Sequence, residues 1–258
     1  MLDRVDFGKT ADDYKQFRQG FPPRFFAALA SRGIGKPGQR ILDLGTGTGT
    51  VARGLALAGG QVTAIDPAGE LLKQARVLDS TSGVNVDYHV ANAEHLPFQD
   101  GCFDIVTAGQ CWHWFDSLRV LAEVRRVLVS GGTLIIAHFD WLPLPESPVE
   151  LTEKLILEHN PKWGMSGGNG FYPRWALDAH IAGATDIETQ TFDLPVNYSH
   201  EAWRGRIRAS AGVGAALSPS AVADFDRAHE VALKAHFPED PLVIPHRVFI
   251  LYAHLGSK

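Results

Sequence analysis

The sequence predicts an α/β protein built on a doubly wound parallel sheet, and three observations carry that expectation. Arg40-Ile41-Leu42-Asp43-Leu44-Gly45-Thr46-Gly47-Thr48-Gly49-Thr50 joins a short apolar run to a glycine loop, ahead of a helix candidate from Val51 to Ala58. Gln61-Val62-Thr63-Ala64-Ile65-Asp66 reads as a second strand ending in an acid. From there to Trp141, strand-like runs alternate with helical spacing, the rhythm of a parallel sheet with helical crossovers.

Ile41, Leu42 and Leu44 have the apolar character of a strand covered on both faces. Glycines at 45, 47 and 49 let the backbone turn tightly and approach a ligand without an intervening Cβ. The N–H groups opening the next helix face the same place, and Asp43 lies at the carboxyl end of the strand, where open α/β sheets bind ligands. The spacing is G-x-G-x-G, not the dinucleotide G-x-G-x-x-G, so the loop alone also fits an ordinary turn. Asp66 strengthens a nucleotide-cofactor reading, since an acid there takes both ribose hydroxyls. It suits NAD and S-adenosylmethionine equally.

Ahead of the first strand, Ala11 to Arg18 looks helical and puts Tyr14 and Arg18 on one face. That helix either packs on the sheet edge or caps a cofactor, with Tyr14 against it and Arg18 near a carboxylate. Pro22-Pro23 opens another helix through Ala30. After the second strand come a helix from Ala68 to Leu78, a strand from Val84 to Val90 and a fourth from Cys102 to Ala108. Ser117 to Leu128 is the next helix, and Gly131-Gly132 turns into a fifth strand, Thr133 to Ala137. Right-handed crossovers bring the strand ends to one edge. That edge collects Asp43, Gly45, Gly47, Asp66, Asn92, Gln110, Trp112, His113, His138 and Asp140.

Regularity fades beyond Trp141. Residues 142–148 carry three prolines, and 163–172 reads as a loop flanked by aromatics. Ile187 to Phe192 and Arg247 to Ala253 suit strands. Helices from His200 to Ala209 and Ser218 to Phe237 fill the interval, which is too long for a structureless loop, and make 195–245 an inserted helical lid.

The chain has 258 residues, a net charge of -5 and two cysteines. That charge argues against general nucleic-acid binding, and Cys102 with Cys111 supports neither a disulfide framework nor a metal-ligand cluster. The charged opening Met1-Leu2-Asp3-Arg4 and the lack of a long apolar run lead to the expectation of a cytoplasmic protein with no membrane partner.

Four motifs then act together: Ile41-Leu42-Asp43-Leu44-Gly45-Thr46-Gly47-Thr48-Gly49; Ala64-Ile65-Asp66; Ala93-Glu94-His95-Leu96-Pro97-Phe98 with Phe103-Asp104-Ile105-Val106; and Glu123-Val124-Arg125-Arg126-Val127-Leu128-Val129-Ser130-Gly131-Gly132. They resemble the class I S-adenosylmethionine-dependent methyltransferases of the small-molecule type, similar to the ubiquinone-biosynthesis and trans-aconitate enzymes. The resemblance covers 7–140, is narrowed by Trp112-His113-Trp114-Phe115, and is loose over 141–258. It implies a Rossmann-like sheet of about seven strands, mostly parallel, with an antiparallel C-terminal strand. It also implies S-adenosyl-L-methionine as cofactor and S-adenosyl-L-homocysteine as product. The resulting division is a cap over 1–34, a cofactor-binding core over 35–141, and a substrate-side loop and helix segment over 142–184. A strand pair at 185–194 and 246–258 flanks the lid at 195–245.

The resemblance places Asp43, the glycine loop with Gly45 and Gly47, Asp66 and the Asn92 position at the cofactor; Tyr14, Arg18, Ala93 and Gln110 are further cofactor-side candidates. Relatives commonly have Asp at the Asn92 position; an amide oxygen can accept the same adenine hydrogen bond. Trp112, His113, His138, Trp141 and Tyr172 are the candidates for a small-molecule acceptor. His113 is the candidate catalytic base, since imidazole takes a proton near neutrality; the alternative is a histidine that fixes a loop. Trp114 and Phe115 serve the site or simply anchor the next helix. Arg204, Arg206 and Arg208 cannot share one helix face, and a solvated face is the plainer reading of that run. No spacing supports a metal. The expected activity is methyl transfer to an O, N or C atom of a small organic acceptor by in-line displacement; an NAD-dependent oxidoreductase and a silent cofactor-binding scaffold are the alternative functions.

Overall fold

The computed structural model describes residues 20–255. In chain order the elements are α1 (Pro23–Ser31), β1 (Arg40–Leu44), α2 (Thr50–Leu57), β2 (Gln61–Asp66), α3 (Gly69–Ser82), β3 (Asp87–Val90) and β4 (Phe103–Gly109). A 3-10 turn (Trp112–Trp114) leads into α4 (Ser117–Val127) and β5 (Leu128–Trp141). Then follow α5 (Pro148–His159), α6 (Pro173–Ile181), β6 (Thr185–Tyr198), α7 (His200–Arg208), α8 (Pro219–His236) and β7 (Leu242–His254).

The seven strands form one sheet in the order β3-β2-β1-β4-β5-β7-β6. Strand β1 pairs in parallel with both β2 and β4, β2 with β3, and β4 with β5. The winding therefore reverses between β1 and β4, the place where open α/β sheets leave a crevice at the strand ends. Strand β7 runs antiparallel to β5. The Leu255 N–H donates to the Gly132 carbonyl and the Leu142 N–H to the Pro245 carbonyl, so the pairing advances along one strand while retreating along the other. Contacts between β6 and β7 behave likewise, with Gln190 against Tyr252 and Asp193 against Arg247.

The described residues divide into two units. The first comprises Gly20–Phe139, Tyr172–Thr191 and 248–255. In its core, Leu42 and Leu44 of β1 share a buried cluster with Val120, Leu121, Val124 and Val127 of α4. Each such side chain, fully removed from water, contributes roughly 1.5–3 kcal/mol. Helix α4 starts where Asp116 accepts the Arg119 N–H, a cap worth about 1 kcal/mol. It ends at Leu128, whose backbone is already extended.

The second unit comprises Asp140–Phe171 and Phe192–Arg247. At its centre the Thr152 hydroxyl donates to the Pro148 carbonyl and accepts the Trp203 indole N–H at 3.0 Å, with His229 Nε2 at 2.9 Å. Burial drives the His229 imidazole down to about 3 and that of His246 to about 4, so both are neutral at neutral pH.

Several expectations change. The fifth strand begins at Leu128 rather than Thr133, because Gly131-Gly132 lies within a register shift against β4 instead of forming a turn. The proline-rich stretch after Trp141 opens a helix. Pro148 occupies the first turn of α5, where its missing N–H costs nothing, and Ser147 accepts the Glu150 N–H. The arginine run is not a solvated face. Arg204 and Arg208, four apart, both bind Asp226 of α8, while Arg206 points away and lies 4.9 Å over the Trp141 ring. Burial pushes the Asp226 carboxyl up, and the two guanidiniums outweigh it, holding it below the usual range. No described helix is long and apolar enough to cross a membrane.

Candidate cofactor and acceptor site

The glycine loop leaves β1 with Gly45, Gly47 and Gly49 at φ of 57°, 57° and 80°, a left-handed backbone that only glycine adopts without cost. The space around it is equally restrictive. A Cβ on Gly45 would stand 2.8 Å from Cys111 Cβ and 3.2 Å from Phe115 Cζ, and one on Gly49 would stand 2.3 Å from the Tyr88 hydroxyl. From below, Arg53 of α2 holds the loop: its guanidinium donates to the Thr48 carbonyl at 2.8 Å and pairs with the buried Asp79 at 2.7 Å. The loop is thus a bare, pre-formed backbone surface.

Two acids stand beside it. The parallel register sets Asp43 beside Thr107 of β4, and the threonine hydroxyl donates to its carboxylate at 2.6 Å. Asp43 is 1% exposed. Desolvation pushes its carboxyl up to about 6, against the pull of the Thr107 hydroxyl, the Thr46 hydroxyl and the Ala52 N–H. Asp66 accepts the Gly47 N–H at 2.9 Å on one oxygen and the Ala68 N–H at 2.8 Å on the other. Burial pushes this carboxyl up too, while those two N–H groups resist. A carboxylate offers about four acceptor positions, so each oxygen retains capacity for a ligand hydroxyl.

On the other side of the reversal point lies a chain of polar aromatic side chains. Tyr172 Oη is 3.0 Å from His138 Nδ1, and His138 Nε2 is 3.0 Å from His113 Nδ1. His113 rides on the 3-10 turn after β4, His138 on β5, and Tyr172 caps α6. The tyrosine is stacked on Trp175 at 3.8 Å with 4° between the planes, and Phe249 lies edge-on at 5.3 Å. His138 is 5% exposed. Three of the five acceptor-side candidates therefore form one hydrogen-bonded array.

The other candidates fall as follows. Trp112 is 1% exposed within the core cluster and edge-on to Phe115. Trp114 and Phe115 are half-buried and pack on the same cluster. Gln110, at φ 61°, has both ends of its amide committed to the Phe139 main chain, donating to O at 2.9 Å and accepting from N at 2.7 Å. Its side chain ties β4 to β5, and that is where its hydrogen bonds go. Asn92 is exposed at the end of β3, while the neighbouring Ala93 is buried in the core. Trp141 belongs to the second unit, where its indole N–H donates to Glu153 at 2.8 Å; Asp140 lies in that unit as well. Tyr14 and Arg18 lie outside the described residues.

Sequence reasoning passed over Thr107, Cys111, Arg53 and Tyr88. Each matters through a long-range partner, which leaves no local pattern. Only Thr107 carried a signal, since a polar residue in an apolar strand calls for a partner. Among the described residues no three His, Cys, Asp or Glu side chains gather as a metal-ligand set.

A reversal-point crevice with a glycine loop at one strand end and an acid at the next defines a nucleotide-cofactor enzyme of the doubly wound class. Comparison with known proteins narrows this. A family described as methyltransferase domain matches residues 42–136. An uncharacterized methyltransferase of Mycobacterium tuberculosis is 35% identical over 131 residues, 50% of each chain, so the match spans half the length of that relative. The ubiquinone biosynthesis O-methyltransferase of Xanthomonas campestris is 33% identical over 180 residues, covering 69% of this chain and 73% of the relative. Among solved structures, a Haemonchus contortus phosphoethanolamine N-methyltransferase in complex with S-adenosylhomocysteine superposes with a TM-score of 0.60 at 23% identity, over 99% of this chain and 59% of that one; at that identity the likeness concerns the fold. The chain belongs to the S-adenosylmethionine-dependent methyltransferases, and S-adenosyl-L-methionine is the cofactor of that class. The residues present fit it: the loop has no room for side chains, and Asp66 keeps acceptor capacity for a diol.

Proposed function

We propose that this chain methylates an oxygen atom of a small organic acceptor, with His113 as the base that takes the acceptor's proton. The observation that carries the reading is His113 itself, an imidazole on the turn after β4 whose Nδ1 is held 3.0 Å from His138 Nε2. The oxygen acceptor is supported by the likeness to the Xanthomonas ubiquinone biosynthesis O-methyltransferase.

Bound S-adenosylmethionine supplies a methyl group made electrophilic by its sulfonium. The protein's part is positioning and proton transfer. The glycine loop, with Gly45 and Gly47, offers a backbone surface for the methionine end, and Asp43 behind it sets the loop and the amino group. Asp66 takes the ribose hydroxyls on the acceptor positions that Gly47 and Ala68 leave. Asn92 and Ala93 take the adenine side, and Tyr14 and Arg18 complete the proposed set. Gln110 acts through its backbone and through the bond to Phe139. An acceptor hydroxyl would lose its proton to His113, which raises the nucleophilicity of its oxygen toward the methyl group that bound S-adenosylmethionine would supply.

The test is release of S-adenosylhomocysteine against panels of phenols, alcohols, carboxylates and amines. Turnover with a hydroxyl acceptor is expected, and His113→Ala should slow its single-turnover rate by about 10²–10⁴-fold. An unchanged rate in that variant would sink the base assignment. Turnover confined to amines would sink the oxygen acceptor.

A further inference from the structure

We propose that Arg53 is a positioning residue for the cofactor: its buried guanidinium, anchored by Asp79, holds the glycine loop at a fixed spacing from Asp66 before any ligand arrives. The inference rests on the S-adenosylmethionine reading of the site and deepens it, by assigning the shape of the loop to a residue outside it.

Glycines at 45, 47 and 49 give the loop little shape of its own, because glycine loses more backbone freedom on ordering than any other residue. Its hydrogen bonds show what imposes one. The Thr46 N–H donates to the Ile65 carbonyl and the Gly49 N–H to the Thr46 carbonyl, both at 2.9 Å. These bonds fix the entry. At the exit, the Arg53 main-chain N–H donates to the Gly49 carbonyl at 2.8 Å, and its Nη2 donates to the Thr48 carbonyl at 2.8 Å. One residue thus grips the loop from backbone and side chain together.

The guanidinium is tied to α3 as well. Its Nε pairs with Asp79 at 2.7 Å, and the same Nη2 that holds Thr48 reaches the Ala75 carbonyl at 3.3 Å. The two side chains are 15% and 5% exposed, so neither charge can be removed without stranding the other. A planar guanidinium serves a carboxylate and two carbonyls at once, which the point charge of a lysine does not. The Tyr88 hydroxyl of β3 and the Ala75 methyl fill the remaining space against Gly49.

The head of α3 meets the second acid. The Ala68 N–H, at the N-cap of α3, donates to Asp66, whose other oxygen accepts the Gly47 N–H. The bonds therefore close a circuit. It runs from Gly47 to Asp66, to the head of α3, along that helix to Ala75 and Asp79, across to Arg53 and back to Thr48. Gly47 and Thr48 are neighbours in the chain, so the loop cannot shift against Asp66 without breaking a bond of the circuit. The surface for the methionine end and the acid for the ribose are met by the ligand already ordered, and ordering done in advance is affinity gained.

The test separates affinity from stability in the full chain. Arg53→Met strands the Asp79 carboxylate, and Arg53→Met with Asp79→Asn removes the stranded charge, so thermal stability should return toward wild type in the double variant. Its affinity for S-adenosylhomocysteine, read by isothermal titration, should stay about 10–100-fold below wild type, because the ligand must then order the loop itself. Affinity that recovers together with stability would overturn the proposal, since Arg53 would then serve the fold alone. Hydrogen exchange of the Gly47 and Gly49 amides in the wild type needs no variant, and it decides the matter should the double variant fail to fold. Both amides should be protected in the free protein; free exchange that stops only on addition of S-adenosylhomocysteine would overturn a loop set in advance. Absence of S-adenosylhomocysteine binding to the wild type would count instead against the cofactor reading, while exchange in the free protein still decides the role of Arg53.

Discussion

Replacing Asp43 by Asn should make the stability of the protein less sensitive to pH. The carboxyl sits at about 6 in the fold against an ordinary value of 3.8. At about 1.36 kcal/mol per unit, holding it ionised at neutral pH costs about 3 kcal/mol. The folded value lies above the unfolded one, so the native state binds the extra proton between them. The stabilising contribution is complete below pH 3.8 and is lost as pH rises through about 6. Asparagine keeps an oxygen for the Thr107 hydroxyl but turns an NH2 toward the Ala52 N–H, at a pH-independent cost of about 1–3 kcal/mol. The stability of Asp43→Asn relative to wild type should therefore improve by up to about 3 kcal/mol between about pH 4 and about pH 7.5. Urea unfolding of both proteins followed by tryptophan fluorescence across that range reads this directly. An offset that does not change with pH would refute the reasoning.

Further outcomes follow from the same physics. Gly45→Ala places a Cβ 2.8 Å from Cys111 on a left-handed backbone; strain of about 1–3 kcal/mol should weaken S-adenosylmethionine binding by about tenfold or more, measured by titration. Arg53→Met strands the carboxylate of Asp79, 5% exposed, and should cost about 3–5 kcal/mol in thermal melts, partly recovered by adding Asp79→Asn. His229 and His246 have folded values depressed to about 3 and about 4, so their stabilising contribution is present above 6.5 and lost as pH falls. Each should cost about 2 kcal/mol by pH 5, and His229→Gln should flatten that decline in melts recorded from neutral to acid pH.

The cofactor half of the molecule was legible because its signals are local. Ile41 to Gly49 packs a strand, a glycine turn and an acid into nine residues, and each property follows from the residue types in order. The parallel register of β1 with β4 could be anticipated, yet the Asp43–Thr107 bond that it creates could not, since 64 residues separate the two. Helix α5 was hidden because prolines that usually break helices here begin one. The Tyr172–His138–His113 array shows the same divide. All three residues stood out as acceptor-side candidates, but nothing in their spacing reveals that they touch, because three separate elements carry them. Nor does the sequence show that Trp112, at the end of a strand, packs into the core cluster beside Phe115.

The most direct test of the cofactor assignment is isothermal titration of the wild type and Asp66→Ala with S-adenosylmethionine, S-adenosylhomocysteine and NAD in parallel. Saturable binding of the first two to the wild type, weakened in the variant, is expected. Binding of NAD alone, or affinity for S-adenosylmethionine untouched by the loss of Asp66, would contradict it.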